Sequence, residues 1–174
     1  MSSFMEPTFC KPDLPRYSQR VFPRYRFLPF QSGSPLPHPR NDPAGHSFGR
    51  DEDYLPGFTP ADWRTCEPYL YGVDLFNHAY WWEAHEALEV IWLAAGQSSD
   101  CGRFVQGLIQ LAAAQLKRFT GELRGARSLT QSSEEKLSPL GKIYLGIEVA
   151  PLLDDAWRCL AEDRGVYPRI ELNL

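Results

Sequence analysis

Apolar residues recur at helical spacing from about residue 60 onward, and no such period survives before it. Thr59-Pro60-Ala61-Asp62 reads as a helix start, with a capping threonine, proline at the first helical position and an acid placed to answer the cap. The pattern predicts a first helix from Pro60 to about Asn77, interrupted near Pro68 and Gly72. A tight turn at Asn77-His78-Ala79 leads into a second helix from Tyr80 to Ala95, followed by a loop over 96–100. The third helix, Gly102 to Thr120, is the most apolar, and Gly121 closes it as a C-cap. A fourth runs from Glu122 to Leu137, and after the Pro139–Gly141 break a fifth spans Ala150 to Asp163. Residues 167–172 read as extended.

Helices joined by short turns pack as antiparallel neighbours. The expected class is therefore all-α: a compact bundle or array of about five helices, two antiparallel hairpins plus a C-terminal helix. Neither βαβ alternation nor a phosphate-binding glycine loop is present in the sequence.

Residues 1–57 are a different kind of chain. Eleven of the fifteen prolines fall in residues 1–60, which removes backbone donors and biases the preceding residues away from helix. Yet Phe9, Tyr17, Phe22, Tyr25, Phe27, Phe30, Phe48 and Tyr54 recur there, whereas a disordered tail is poor in aromatics. Charge is also split. Residues 1–50 carry seven Arg and Lys against three acids, and the remainder carries eleven against nineteen. The expectation is a proline-rich, extended, basic arm (1–57) that wraps an acidic helical domain (58–174), or reaches the same surface of a second copy in a homo-oligomer. Stacking of single-stranded nucleic acid on such an arm is disfavoured, because prolines interrupt the arginines instead of letting them gather in a patch.

The net charge of −4 makes no general case for nucleic acid or membrane. Cys10, Cys66, Cys101 and Cys159 are widely spaced and include no CxxC pair, so they read as thiols in a reducing compartment. The N-terminus has no apolar signal region, and no apolar run reaches the ~18 residues of a membrane span. Cytoplasmic is the expected location.

Chemistry concentrates in Leu75–Trp92, LFNHAYWWEAHEALEVIW. At about 100° per residue, Trp81, Ala84, Leu88, Ile91 and Trp92 share an apolar face. His85 and Glu89 stand on its shoulder at i, i+4, with Glu86 at the edge. Gln106 and Gln110 flank the third helix, and Gln115 falls within its apolar arc, where an amide needs a partner. These residues suggest a polar seam of His85, Glu86 and Glu89 against the glutamines. The same His–Glu spacing suits a divalent metal, with His85 and Glu89 as ligands and His38 or His46 of the arm completing the set. The other reading of His38, Asp42 and His46 is that they hydrogen-bond the arm to the body surface. HExxE lacks the second histidine of the zinc-protease HExxH.

These residues carry a resemblance. The EAHEALEVIW element, Glu83–Trp92, together with QGLIQLAAA from Gln106 and the later Gly125-Ala126-Arg127, resembles an all-helical family catalogued as domain of unknown function 309. The resemblance spans about residues 68–135. It implies a compact helical array without an established activity, and makes Glu83, His85, Glu86, Glu89, Trp92, Gln106 and Gln110 signature positions. His78 stands where the family pattern has glycine, so a strained or left-handed turn is expected there.

Two functions are compatible with this chain. The first is a binding or assembly module with a structural His–Glu–Gln seam. The alternative is a small metal-dependent, hydrolase-like enzyme in which Glu86 is the general base.

Overall fold

The computed structural model describes residues 14–29, 36–161 and 167–174. Phe9, Cys10, Phe30 and the expected end of the fifth helix at Asp163 lie outside them. Five helices carry the fold: α1 (Glu67–Asn77), α2 (Trp81–Ala95), α3 (Asp100–Phe119), α4 (Leu123–Leu137) and α5 (Val149–Ala161). A 3-10 turn at Ser138–Leu140 and a two-stranded hairpin, β1 (Ile143–Tyr144) and β2 (Ile147–Glu148), separate α4 from α5. Among the described residues no helix is long and apolar enough to cross a membrane.

The first helix begins seven residues later than the sequence suggests. Thr59 and Asp62 do bond as expected, with Asp62 Oδ2 accepting from the Thr59 amide at 2.7 Å and its hydroxyl at 2.8 Å. That start leads only into turns. A helix continuing through residue 68 would lose an amide donor and push the proline ring into the preceding turn. Restarting at Glu67 puts Pro68 in the first turn, where the missing donor costs nothing.

The turn after α1 also moves its strain by one residue. His78 is right-handed, with φ −99°, and Ala79 takes the left-handed position at φ 61°. Its amide donates to Phe76 O at 3.1 Å, and that of Tyr80 donates to Leu75 O at 2.9 Å, the paired bonds of a Schellman cap. Burial of the Ala79 methyl, 1% exposed, offsets part of the left-handed cost.

Close packing follows from small residues. A Cβ at Gly72 would meet Leu88 Cδ2 at 3.0 Å, so its absence lets α1 lie against α2. Gly107 takes Leu137 of α4 in the same way, and the Gly107 carbonyl accepts from Ser133 Oγ at 2.7 Å. Trp81 at the start of α2 meets Phe119 at the end of α3 (5.8 Å between centroids), which makes that pair antiparallel. Leu88, Ile91, Phe104, Leu108 and Leu111 form the centre of one continuous core.

The 143–148 hairpin was not expected. Its central residues, Leu145 and Gly146, both have positive φ (47° and 77°), a type I′ geometry usually marked by Asn-Gly. Leucine tolerates it because it is 3% exposed and its carbonyl accepts from Tyr69 Oη at 2.9 Å. The C-terminal segment is extended as expected: Asn77 on α1 binds both backbone groups of Ile170 (2.8 and 2.7 Å), and Leu172 bridges Ile147.

Candidate functional site

The described part of the arm lies on its own helical body, and carboxylates of α1 and α2 hold it there. Asp74 is fully buried and accepts from Arg16 Nε (2.8 Å) and from the Tyr17 and Ser18 amides (both 2.9 Å). Glu67, at the N-terminus of the same helix, accepts from the Gln19 amide at 3.0 Å and from the Ser18 hydroxyl. Glu83 of α2 takes the Phe27 amide at 2.8 Å. Its neighbour Glu86 is ion-paired with Arg40 Nε at 2.7 Å. The arm's arginines also lie over aromatic rings, Arg16 on Phe22 and Arg26 on Tyr80.

Residues 38–47 form a closed loop that delivers His46. Asn41-Asp42-Pro43 makes a turn, with Asp42 Oδ1 accepting from the Ala44 amide at 2.8 Å. Ser47 N then donates to Pro39 O at 3.0 Å and shuts the loop. His46 is buried, its Nε2 2.9 Å from Glu83 Oε1 and its Nδ1 2.8 Å from Ser47 Oγ. An ionised carboxylate only accepts, so Nε2 carries the proton. His38 has a different role: its Nδ1 accepts from the Arg40 and Asn41 amides (both 3.3 Å), and its ring packs edge-on to Trp82.

The HExxE shoulder is real but separate from these histidines. His85 Nδ1 is 3.4 Å from Glu86 Oε1, and its Nε2 is 3.4 Å from Glu89 Oε1. The three side chains are partly exposed, and one ligand atom from each lies within 4.8 Å of the others. Among the described residues this is the one cluster with metal-ligand proximity, and neither His38 nor His46 belongs to it. The sequence left two readings for the arm histidines, completing a set with His85 and Glu89 or hydrogen-bonding the arm to the body; His46 bonds Glu83 of the body.

On the α3 side, Gln110 Oε1, Trp92 Nε1 and both amide atoms of Gln115 are buried without a hydrogen-bond partner among the described residues. Gln106 is half-buried. The expected seam is therefore not closed by direct bonds within the described chain. Glu83, placed in that seam with the other signature residues, faces the arm.

The electrostatics follow from these neighbours. Glu86, with Glu89 beyond it, raises the His85 imidazole above its ordinary value of 6.5, outweighing the opposing effect of burial. Burial alone would push the Glu86 carboxyl up, but His85 and the Arg40 charge outweigh it and leave that carboxyl below its usual 4.5. The histidine's contribution to stability is thus fully present below pH 6.5 and lost as pH rises through its raised folded pKa. The glutamate's is present above 4.5 and lost as pH falls through its lowered one. An NMR titration of the His85 ring should give a midpoint above 6.5 that drops in Glu86→Gln. An unmoved midpoint in that variant would rule out Glu86 as the cause.

Between arm and helices lies a cleft of about 650 Å³, with Arg24, Arg40, His46, Trp82, Glu83 and Glu86 among its walls. Two of the groups that shape this face, Glu67 and Asp74, were not singled out from the sequence. Asp74 did leave a signal, a lone carboxylate between Val73 and Leu75-Phe76 on an otherwise apolar helix.

Residues 69–129 match the family described as Domain of unknown function (DUF309). The matched span takes in most of α1, all of α2 and α3, and the first half of α4. No curated protein matches the chain.

Proposed function

We propose that this protein is a binding or assembly module whose α1–α2 face is a receptor for an extended segment bearing arginines and aromatic rings. In this chain the segment is its own arm. The observation that supports the reading most directly is the row of carboxylates Glu67, Asp74, Glu83 and Glu86, which together take four arm backbone amides and two arginines. A carboxylate buried on a helix face needs donors from elsewhere, and an extended, proline-rich segment has amides unspent in secondary structure. The same face would receive the arm of a second copy by exchange, which is the economical route from this monomer to a homodimer.

Residues 59–174 alone, mixed with a labelled peptide of residues 14–29, should show saturable binding that Asp74→Ala abolishes. A body that keeps its helical circular dichroism yet does not bind the peptide would refute the receptor reading.

The alternative, a metal-dependent hydrolase with Glu86 as base, is opposed by the environment of Glu86. A general base working near neutral pH needs a raised pKa in a dry cleft. Glu86 is lowered, and an arginine already rests on it. Its chemistry suits holding a cation better than removing a proton.

A further inference from the structure

We infer that His85, Glu86 and Glu89 form a divalent transition-metal site, and that the metal and Arg40 of the arm compete for Glu86. The donor set is one imidazole and two carboxylates, a mixture that zinc and its first-row neighbours accept, with remaining positions left to water. Ligand atoms around a tetrahedral zinc stand about 3.4 Å apart, given bonds of about 2.1 Å. The two 3.4 Å His–Glu contacts use different ring nitrogens, Nδ1 toward Glu86 and Nε2 toward Glu89, and an ion takes only one of them; with one ligand atom from each residue the set lies within 4.8 Å. Small rotations of the two glutamates close the difference, and Glu89, 41% exposed, is free to make them.

Two further features point to a cation here. His85 Nδ1 faces the Glu86 carboxylate at 3.4 Å without a hydrogen bond of good geometry, so the pair is close but not locked. Independently, the arm has already brought a cation to the cluster, the Arg40 guanidinium at 2.7 Å from Glu86 Oε2. The Arg40 Nε contact is an ion pair without hydrogen-bond geometry, and it lacks the paired fork that makes arginine–carboxylate bonds strong. Arg40 Nη1 also lies 2.5 Å from Glu52, a carboxylate of the arm itself. Arg40 thus keeps a counter-ion when it leaves Glu86, and a dication on Glu86 would repel it. Metal binding and closure of residues 36–50 on α2 become mutually opposed. This exclusion rests on the docking of Arg40, whereas the metal site does not depend on the arm being exchangeable.

The full-length chain, titrated with Zn²⁺ by calorimetry and with Co²⁺ by visible absorption, tests both parts. One equivalent should bind, with cobalt bands typical of nitrogen–oxygen ligation. Glu89→Gln, which removes a ligand without touching the arm, should weaken binding by about tenfold or more. Arg40→Gln should tighten it by about fivefold or more, and zinc should speed amide exchange across residues 36–50 of the wild type. No binding by wild type or Arg40→Gln, or binding indifferent to Glu89→Gln, overturns the site. Binding that depends on Glu89 but ignores Arg40 overturns the competition. Circular dichroism of each variant separates these outcomes from misfolding, and the peptide experiment fails or succeeds independently of them.

Discussion

Asp74→Ala should lower the unfolding free energy by about 3–5 kcal/mol, the largest loss expected from any single polar side chain here. Asp74 has no exposed surface and serves three donors from one stretch of arm, the Tyr17 and Ser18 amides and Arg16 Nε. Alanine leaves the buried Ser18 amide without an acceptor, at about 1–3 kcal/mol, the part-buried Tyr17 amide likewise at a smaller cost, and Arg16 without its counter-charge. The Arg16 side chain is one-third exposed, so water recovers part of that last loss and the estimate stays below the sum. Asp74→Asn should fall between wild type and alanine, because its oxygen satisfies one donor while its amino group opposes another. Urea denaturation followed by circular dichroism measures the difference, and a change below about 1 kcal/mol would mean that Asp74 does not anchor the arm.

The loss should also be uneven along the chain. Residues 16–22 would be released first, because the core around Leu88, Phe104 and Leu111 does not use Asp74. Asn77 would still hold Ile170, but Leu172, whose amide donates to Tyr17 Oη at 3.1 Å, would loosen with the arm. Arm and C-terminal segment thus form one layer over α1, and Asp74 lies beneath it.

Much of this organisation could be read before the structure. Helices α2, α3 and α4 begin and end within about two residues of expectation because long apolar periods and the Gly121 C-cap mark them. Aromatic side chains with no local core pointed to an arm packed on this body or on a second copy, and the sequence had no signal to choose between the two. What failed were choices between local and distant partners. Thr59-Pro60-Ala61-Asp62 is a sound helix start, overridden by a proline eight residues on. Leu145-Gly146 is a poor turn signal, rescued by burial and a tyrosine hydroxyl from α1. In the candidate site, periodicity correctly put His85 near Glu86 and Glu89, since all three belong to one helix. It had no means of assigning Glu83 to the arm or His46 to Glu83, because residues 37 apart meet only through a loop whose path is not periodic.

That loop yields the second large effect. Gly45→Ala should destabilise the protein by about 2–5 kcal/mol, although it adds only a methyl group. The new Cβ would stand 2.3 Å from Pro39 O, 2.4 Å from His38 O and 2.6 Å from Pro39 C. These are backbone atoms, which cannot rotate aside as a side chain does, so residues 38–47 must open. Opening breaks the Ser47–Pro39 bond that closes the loop and withdraws His46 from Glu83. Glu83 Oε2 already lacks a partner, so the buried carboxylate would keep only the Phe27 amide. The cost therefore combines overpacking, about 1–3 kcal/mol, with a buried charge deprived of a donor, about 1–3 kcal/mol more. Gly49→Ala is the informative control. It lies four residues on, with φ 67° and open space around it, so only the left-handed backbone opposes alanine, at about 1–2 kcal/mol. In urea melts Gly45→Ala should cost clearly more than Gly49→Ala, and adding His46→Gln to it should cost little further, since the histidine has already left. Equal costs for the two glycines would mean that the loop is loosely packed and that His46 is not held on Glu83 by it.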